Sequence, residues 1–499
     1  MNFKKTKLAT AVGTAALAMG LSAPANAVVL GGDNGWEVSF TGTINLFYQF
    51  VDFETTSRGA NQFGLGRFDT QQFCGAGGYY VTGGNGCFTS PTVSAATNFT
   101  TDFFVRGDTP VNTDREGSNL QEGLLPAFAT FKAKSPTVNG LTGTAQISFA
   151  PDSNQSKSAR QNVGGNQSID MREVFFNVDG SFGTISAGRT LGIFQRQAIL
   201  KDQTLFGVGA NAGVDTGGTT IGRIGYGYIY PAFETRFSYT TPNINGFQLE
   251  VGVYNPLHPS FAGSFESDTP GFQGELNYKT TFGGGNIHAF AGGLWNEFED
   301  NVSGDDVTSW GWNAGLDVTY SGFNVWGHYY DGEALGGDLK WLGGSSRTFH
   351  SFLDQRIAGS AGTVGIAGAP GFLCWAETDD ASNRGCSEAD NDGFIVQGSY
   401  TFNGKTKIAG SYGESNQDSS GDLGSNFPTS VMGFNEVEHT MWTVGVYHDV
   451  TPWLKVVAEY NDYDQECSYG EYDPIGGDPG EDCGSLDGSN FSVGGFIFW

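Results

Sequence analysis

The sequence predicts an all-β protein: a transmembrane antiparallel β-barrel of about sixteen strands, with short periplasmic turns and long extracellular loops. Three observations predict it. The N-terminus reads as an export signal, the body alternates apolar and polar residues between breaks of two very different lengths, and the last strand runs into an aromatic C-terminus.

The export signal comes first. Lys4, Lys5 and Lys7 precede an apolar stretch from Leu8 to Leu21, and Ala25-Asn26-Ala27 has the small-x-small form of a cleavage site. Residues 1–27 are therefore expected to be a signal peptide and 28–499 one barrel domain. No later stretch approaches the run of about 18 apolar residues that a spanning helix needs.

Composition supports strands with one wet face. Gly accounts for 77 of 499 residues, aromatics for 14%, and mean hydropathy is −0.25, so the chain is rich in Phe, Tyr, Trp and Gly yet slightly hydrophilic. A soluble domain of this size carries more Leu, Ile and Val for its core. Removing the signal takes away three lysines and no acid, so the net charge of −28 becomes −31. That acidity argues against nucleic acid as a partner.

The strands follow in order. Trp36 to Phe53 sets Val38, Phe40, Ile44, Leu46, Tyr48 and Phe50 against Ser39, Thr41, Thr43, Asn45 and Gln49. Later segments repeat the pattern: Phe394–Phe402, Lys405–Tyr412 and Leu454–Asn461, whose polar faces keep Lys405, Lys407, Lys455 and Glu459 and so face water. Seven short breaks carry tight-turn residues, at 138–140, 178–180, 243–246, 282–285, 321–322, 403–404 and 450–452. Eight longer polar breaks lie near 54–119, 151–168, 192–221, 255–271, 297–308, 331–391, 414–436 and 463–489. Seven turns and eight loops make sixteen strands with both chain ends on the turn side, an even number as closure requires. In the last strand, period 2 puts Phe491, Val493, Gly495, Ile497 and Trp499 toward lipid, and Asn490, Ser492, Gly494, Phe496 and Phe498 inward. Thr184, Ser186 and Gly188 form a sparsely apolar row that suggests a strand meeting protein more than lipid.

Six cysteines fall two to a loop: Cys74 and Cys87, Cys374 and Cys386, Cys467 and Cys483. Of fifteen pairings, confinement to single loops selects the three local disulfides, which an oxidising export route permits. There is no Cys-x-x-Cys, and no metal or cofactor is expected. Acidic runs such as Asp390–Asp392 and Glu297–Asp300 read as solvated loop tips, with Ca²⁺ bridging to lipopolysaccharide phosphate as the alternative. An arginine at the lipid midplane costs about 2–4 kcal/mol, so Arg172, Arg223 and Arg236 are expected in the lumen.

The stretch Met171-Arg-Glu-Val-Phe-Phe-Asn-Val-Asp-Gly-Ser-Phe-Gly-Thr-Ile-Ser-Ala-Gly-Arg-Thr-Leu-Gly192 resembles the fourth and fifth strands of Gram-negative general porins. Ile221-Gly-Arg-Ile-Gly225 resembles the entry to their sixth. The likeness is dense over about 168–250. It implies a sixteen-stranded barrel, a homotrimer, and a third loop folded into the pore, where loop acids face wall arginines. On that resemblance Arg172 and Arg223 match wall arginines of the pore constriction, Arg189 the Gly-Arg position, and Asp202 a loop acid. Three positions depart: Leu205 stands where the loop's second acid falls, Phe128 near the second-strand arginine and Thr43 near the first-strand lysine. A less charged constriction follows, or one charged by Arg196, Arg236 and Lys201. Phe491, Val493, Ile497 and Trp499 resemble the family's C-terminal assembly signal, read by the barrel-assembly machinery, with Trp where Phe is usual.

The expected function is a water-filled channel for passive diffusion of ions and small hydrophilic solutes, in contact with outer-membrane lipid and lipopolysaccharide. Alternatives are a substrate-specific channel for anions, sugars or acidic nutrients, with Phe47, Trp326 and Tyr330 as a possible sugar track, and an adhesin or phage receptor. An outer-membrane enzyme lacks support: there is no Gly-x-Ser-x-Gly and no His-Glu-x-x-His, and the six histidines are scattered.

Overall fold

The computed structural model describes residues 28–29, 33–57, 79–80, 87–88, 111–151, 169–211, 219–255, 265–300, 306–336, 374–376, 386–418, 434–469 and 482–499. Its strands form one closed antiparallel barrel of sixteen staves. In chain order they are β1 (Glu37–Ser57), β2 (Val111–Gln121), β3 (Phe128–Lys134), β4 (Thr142–Pro151), β5 (Ile169–Gly180), β6 (Gly183–Leu191), β7 (Phe233–Thr240), β8 (Phe247–Tyr254) and β9 (Gly271–Phe282). There follow β10 (Gly285–Asp300), β11 (Asp306–Tyr320), β12 (Phe323–Glu333), β13 (Asp390–Phe402), β14 (Thr406–Asp418), β15 (Phe434–Thr451), β16 (Leu454–Tyr469) and β17 (Asp482–Phe498). Both β2 and β3 pair with β1, one above the other, and make a single interrupted stave. Every other strand pairs with its chain neighbours, and β17 closes on β1 from Thr43↔Phe498 to Ser57↔Gly484.

The alternation explains the two faces. Ile44, Leu46, Tyr48 and Phe50 on β1 and Phe491, Val493 and Ile497 on β17 are exposed on the outside, while Asn45, Phe47, Gln49, Phe496 and Phe498 are buried within. Aromatic rings gather near the turns, as in Phe323–Tyr400 and Phe247–Tyr278, each at 4.4 Å between centroids. Near the loops, the indole of Trp312 donates to Asp331 at 3.0 Å and that of Trp442 to Asp462 at 2.9 Å. Two aromatic belts flanking an apolar band are what a bilayer requires of a barrel. Among the described residues no helix is long and apolar enough to cross a membrane.

Turn chemistry holds where Asn-Gly or its like occurs. Asn139-Gly140, Asn245-Gly246, Ser321-Gly322 and Asn403-Gly404 all take positive φ at both residues, the form whose twist matches a hairpin. One turn is displaced from expectation: β5 runs through Asp179-Gly180, and the chain reverses at Ser181-Phe182. Asp179 instead accepts the Thr184 hydroxyl across the hairpin at 2.7 Å. Strands also climb past the expected boundaries, with β1 reaching Ser57 and β2 starting at Val111. A ladder does not stop where lipid stops, so polar strand tips read as loop in sequence. The row Thr184, Ser186, Gly188 lies on the lumenal side, with Ser186 buried; its polarity reflects the barrel interior and not a protein neighbour.

The C-terminus closes the ring. Trp499 and Gly42 exchange both backbone hydrogen bonds, at 3.0 and 3.1 Å, and the indole sits against Gly42 and Phe40. A Cβ at Gly42 would lie 2.2 Å from the Trp499 ring, so only glycine admits it.

Candidate functional site, a loop across the lumen

The segment between β6 and β7 turns into the barrel. It holds α1 (Arg196–Lys201) and a 3-10 turn (Gln203–Phe206), then runs through Gly207–Asn211 and returns through Thr219–Ala232. Asp202 caps the 3-10 turn, accepting the Thr204 amide at 2.9 Å. Burial pushes the Asp202 carboxyl above its usual range, against the opposing pull of Arg223 and of hydrogen bonds from Thr204 and Tyr228.

One end of the loop is held by charge. Arg196 donates to Glu250 on β8 at 2.9 Å and to Glu275 on β9 at 2.8 Å, and Arg236 on β7 lies 3.3 Å from Glu250. Gln273 on β9 accepts the amides of Ile193 and Phe194 through its Oε1, at 2.8 and 2.9 Å. Lys201 pairs with Asp317 on β11, and Gln397 on β13 accepts the Gln203 amide at 2.7 Å.

The far end is held by polar and apolar groups together. Glu459 on β16 accepts the amides of Val208 (2.9 Å) and Gly209 (2.7 Å) and the Tyr447 hydroxyl (2.7 Å). A Cβ at Gly207 would stand 1.9 Å from Glu459 Oε2, which explains the glycine. Arg223 is wholly buried; it donates to Met441 O, Ser411 Oγ and Thr443 Oγ1 at 2.7–2.8 Å, with its Nε 4.0 Å from Asp202. Beside these lies an apolar plate of Phe47, Leu124, Leu125, Phe128, Leu205, Val208, Phe496 and Phe498, with Phe206 edge-on to Phe496 at 5.7 Å. The break between β2 and β3 supplies part of it. Gly123-Leu-Leu-Pro126 leaves the ladder, Leu124 donates to Gly207 O at 3.2 Å, and Asn45 ties down Gly123 and Leu125.

The residues singled out from sequence therefore divide. Arg196, Lys201, Asp202, Arg223 and Arg236 all gather at the inserted loop, but each is spent on a bond that anchors it. Arg172 is the extra residue of a bulge between β4 and β5 and lies half-buried over the rings of Phe128 (6.0 Å) and Phe233 (5.6 Å). Arg189 does not join them. It pairs in register with outward-facing Val174 and with exposed Thr235, and is itself exposed on the outer face, because period 2 places it opposite to lumenal Thr190. Phe128, Leu205 and Thr43 converge: Thr43 stands directly across from Phe128, and Leu205 shares its apolar cluster. Three positions expected to be less charged thus meet in one patch that fixes the loop. Phe47, Trp326 and Tyr330 are at most 1% exposed and offer no open aromatic track.

Sequence reasoning missed Glu250, Glu275 and Gln273, and read Glu459 as water-facing without its role as a loop anchor. The available signal was the same as for the arginines, a carboxylate or amide side chain inside an alternating strand.

A closed strand barrel with aromatic belts and a loop bonded across its interior is a channel protein of the outer membrane. The chain belongs to the Gram-negative porins, whose family model matches residues 13–467. It is accordingly an outer-membrane channel for passive diffusion of small hydrophilic solutes. No curated protein sequence matches it. Among solved structures it is similar to the outer membrane channel DcaP of Acinetobacter baumannii, with 12% identity, TM-score 0.53, and 95% of this chain and 100% of that one covered. It is also similar to an anion-selective porin from Comamonas acidovorans, with 12% identity, TM-score 0.49, and 93% and 100% covered.

Proposed function

We propose that the segment from Gly192 to Ala232 is the constriction of this channel, and that solutes pass beside it along the polar wall of β3–β6. The carrying observation is the loop's attachment to both sides of the lumen: to β8, β9 and β11 by Arg196 and Lys201, and to β14–β16 by Arg223 and Glu459. The lumenal faces of β3–β6 instead present half-buried Lys132 and Arg172, backed by a buried hydrogen-bonded network of Thr130, Gln146, Ser148 and Glu173. Arg172, half-buried over the Phe128 and Phe233 rings beside this wall, is then the eyelet charge that a passing ion senses, whereas Arg223 holds the loop.

Conductance steps in a planar bilayer test the channel, and reversal potential in a salt gradient tests the eyelet. Arg172→Ala moves the potential toward cations. An unchanged potential in that variant removes Arg172 from the constriction, and absence of steps in the parent protein ends the channel reading.

The same proposal includes cleavage of residues 1–27, assembly as a homotrimer, recognition of the Phe491–Trp499 end by the assembly machinery, and lipopolysaccharide around the outer rim. It also includes the three local disulfides. Cys74 lies outside the described residues. The backbone pairings Cys467↔Gly484 and Ala376↔Cys386 support two of the three bridges by bringing each pair of segments side by side.

A further inference from the structure

On the periplasmic side of the loop, one lumenal row crosses four strands. Lys279 on β9 pairs in register with His288 on β10, His288 with Asp317 on β11, and Asp317 with Trp326 on β12. Lys279 and Asp317 each stand four residues before a hairpin turn and His288 four after one, so the row lies about 10–13 Å above the barrel's lower edge.

Its charged groups are not paired with each other. Asp317 is taken by Lys201 from the loop and by the Asn324 amide. His288 is tied by its Nε2 to Asn277 Oδ1 at 2.7 Å. Lys279 is exposed to the lumen and has no ion pair among the described residues, though Glu275 stands four residues before it on the same lumenal face. At the end of the row Trp326 is 1% exposed, and its indole N–H has no acceptor among the described residues. Asp317 is thus spent on Lys201 and Glu275 on Arg196, which leaves Lys279 the ammonium of this group with no ion pair among the described residues, and a buried donor stands at the end of the row.

We propose that this row is a low-affinity binding step for small oxyanion solutes, carboxylates or phosphate, between the loop and the periplasm. A solute carboxylate or phosphate at Lys279 gives that ammonium the anionic partner it otherwise lacks among the described residues, and such charge-assisted bonds are stronger than neutral ones. The proposal rests on the channel reading above and adds to it a solute class and a place.

The test is block of potassium chloride current in a planar bilayer by sodium succinate and, separately, by inorganic phosphate, added to either side. The proposal expects a saturating decrease in current with at least one of them. Lys279→Ala and Lys279→Gln should raise the half-blocking concentration about tenfold, as loss of one ammonium at contact distance in a largely aqueous site implies. Arg189→Ala, on the outer face, should leave it unchanged. Block by succinate alone assigns the step to carboxylates, and block by phosphate alone to phosphate. Persistent conductance steps with no block by either, or equal block in both Lys279 variants, overturns the binding step while leaving the channel intact. Absence of steps overturns the channel itself.

Discussion

Glu459 is the carboxylate that ties the far end of the loop to the wall. Its carboxylate accepts the amides of Val208 and Gly209 and the hydroxyl of Tyr447, at 2.7–2.9 Å, in a site where it is 1% exposed. Replacing it with alanine orphans two backbone donors and one phenol. At about 1–2 kcal/mol for each buried donor left unmade, and with water entering the cleared space to recover part, the loop loses about 3 kcal/mol. Local opening should then rise about a hundredfold. The barrel itself should hold, because its ladder from β15 to β17 does not pass through this side chain. Glu459→Gln keeps Oε1 for the two amides and should cost far less. Hydrogen exchange of the amides at 207–209 measures the effect directly, with greater single-channel current noise as its functional counterpart. Unchanged exchange in Glu459→Ala would refute the claim that this carboxylate holds the loop.

Three further outcomes follow from the same contacts. Gly42→Leu drives a side chain into the Trp499 ring and the Phe128 carbonyl, 2.2 and 2.5 Å from the new Cβ, and should destabilise the closed barrel by about 1–3 kcal/mol, read as a lower temperature for loss of the fast-migrating unheated band on a gel. Deleting Phe498-Trp499 removes both bonds to Gly42 and the bond from Phe498 to Trp453 O, and should reduce membrane assembly; wild-type yields of folded barrel would show that the closing pair is dispensable. Glu250→Leu strips a buried carboxylate from Arg196 and Arg236 and should cost about 3–5 kcal/mol, seen as protease access to the segment around α1, with the parent's resistance as the contrary result.

Much of this protein was determined by sequence alone, because a bilayer makes local pattern decisive. Lipid outside and water inside force period 2 on every stave, so exposed Ile44, Leu46 and Phe491 and buried Asn45, Gln49 and Ser492 could be assigned from alternation. Asn139-Gly140 and Asn403-Gly404 placed their turns by backbone preference, whereas Asp179-Gly180 did not, because the Thr184 hydroxyl took the Asp179 side chain across the hairpin. Arg189 escaped a reading based on motif, since its face depends on parity with Thr190. Tertiary structure alone decided what the lumenal charges do. Arg223 and Arg236 were legible as inward-facing, but not as loop anchors. Their partners Ser411, Thr443 and Glu250 lie on other strands, and Asp202 is brought to Arg223 only when the loop crosses the barrel. Likewise Thr43, Phe128 and Leu205 read separately as missing charges; Phe128 and Leu205 joined one apolar cluster, with Thr43 across from Phe128, only once β1, β3 and the loop met. Alternation fixes which face a side chain takes; the register of distant strands and the path of the inserted loop fix which partner it finds there.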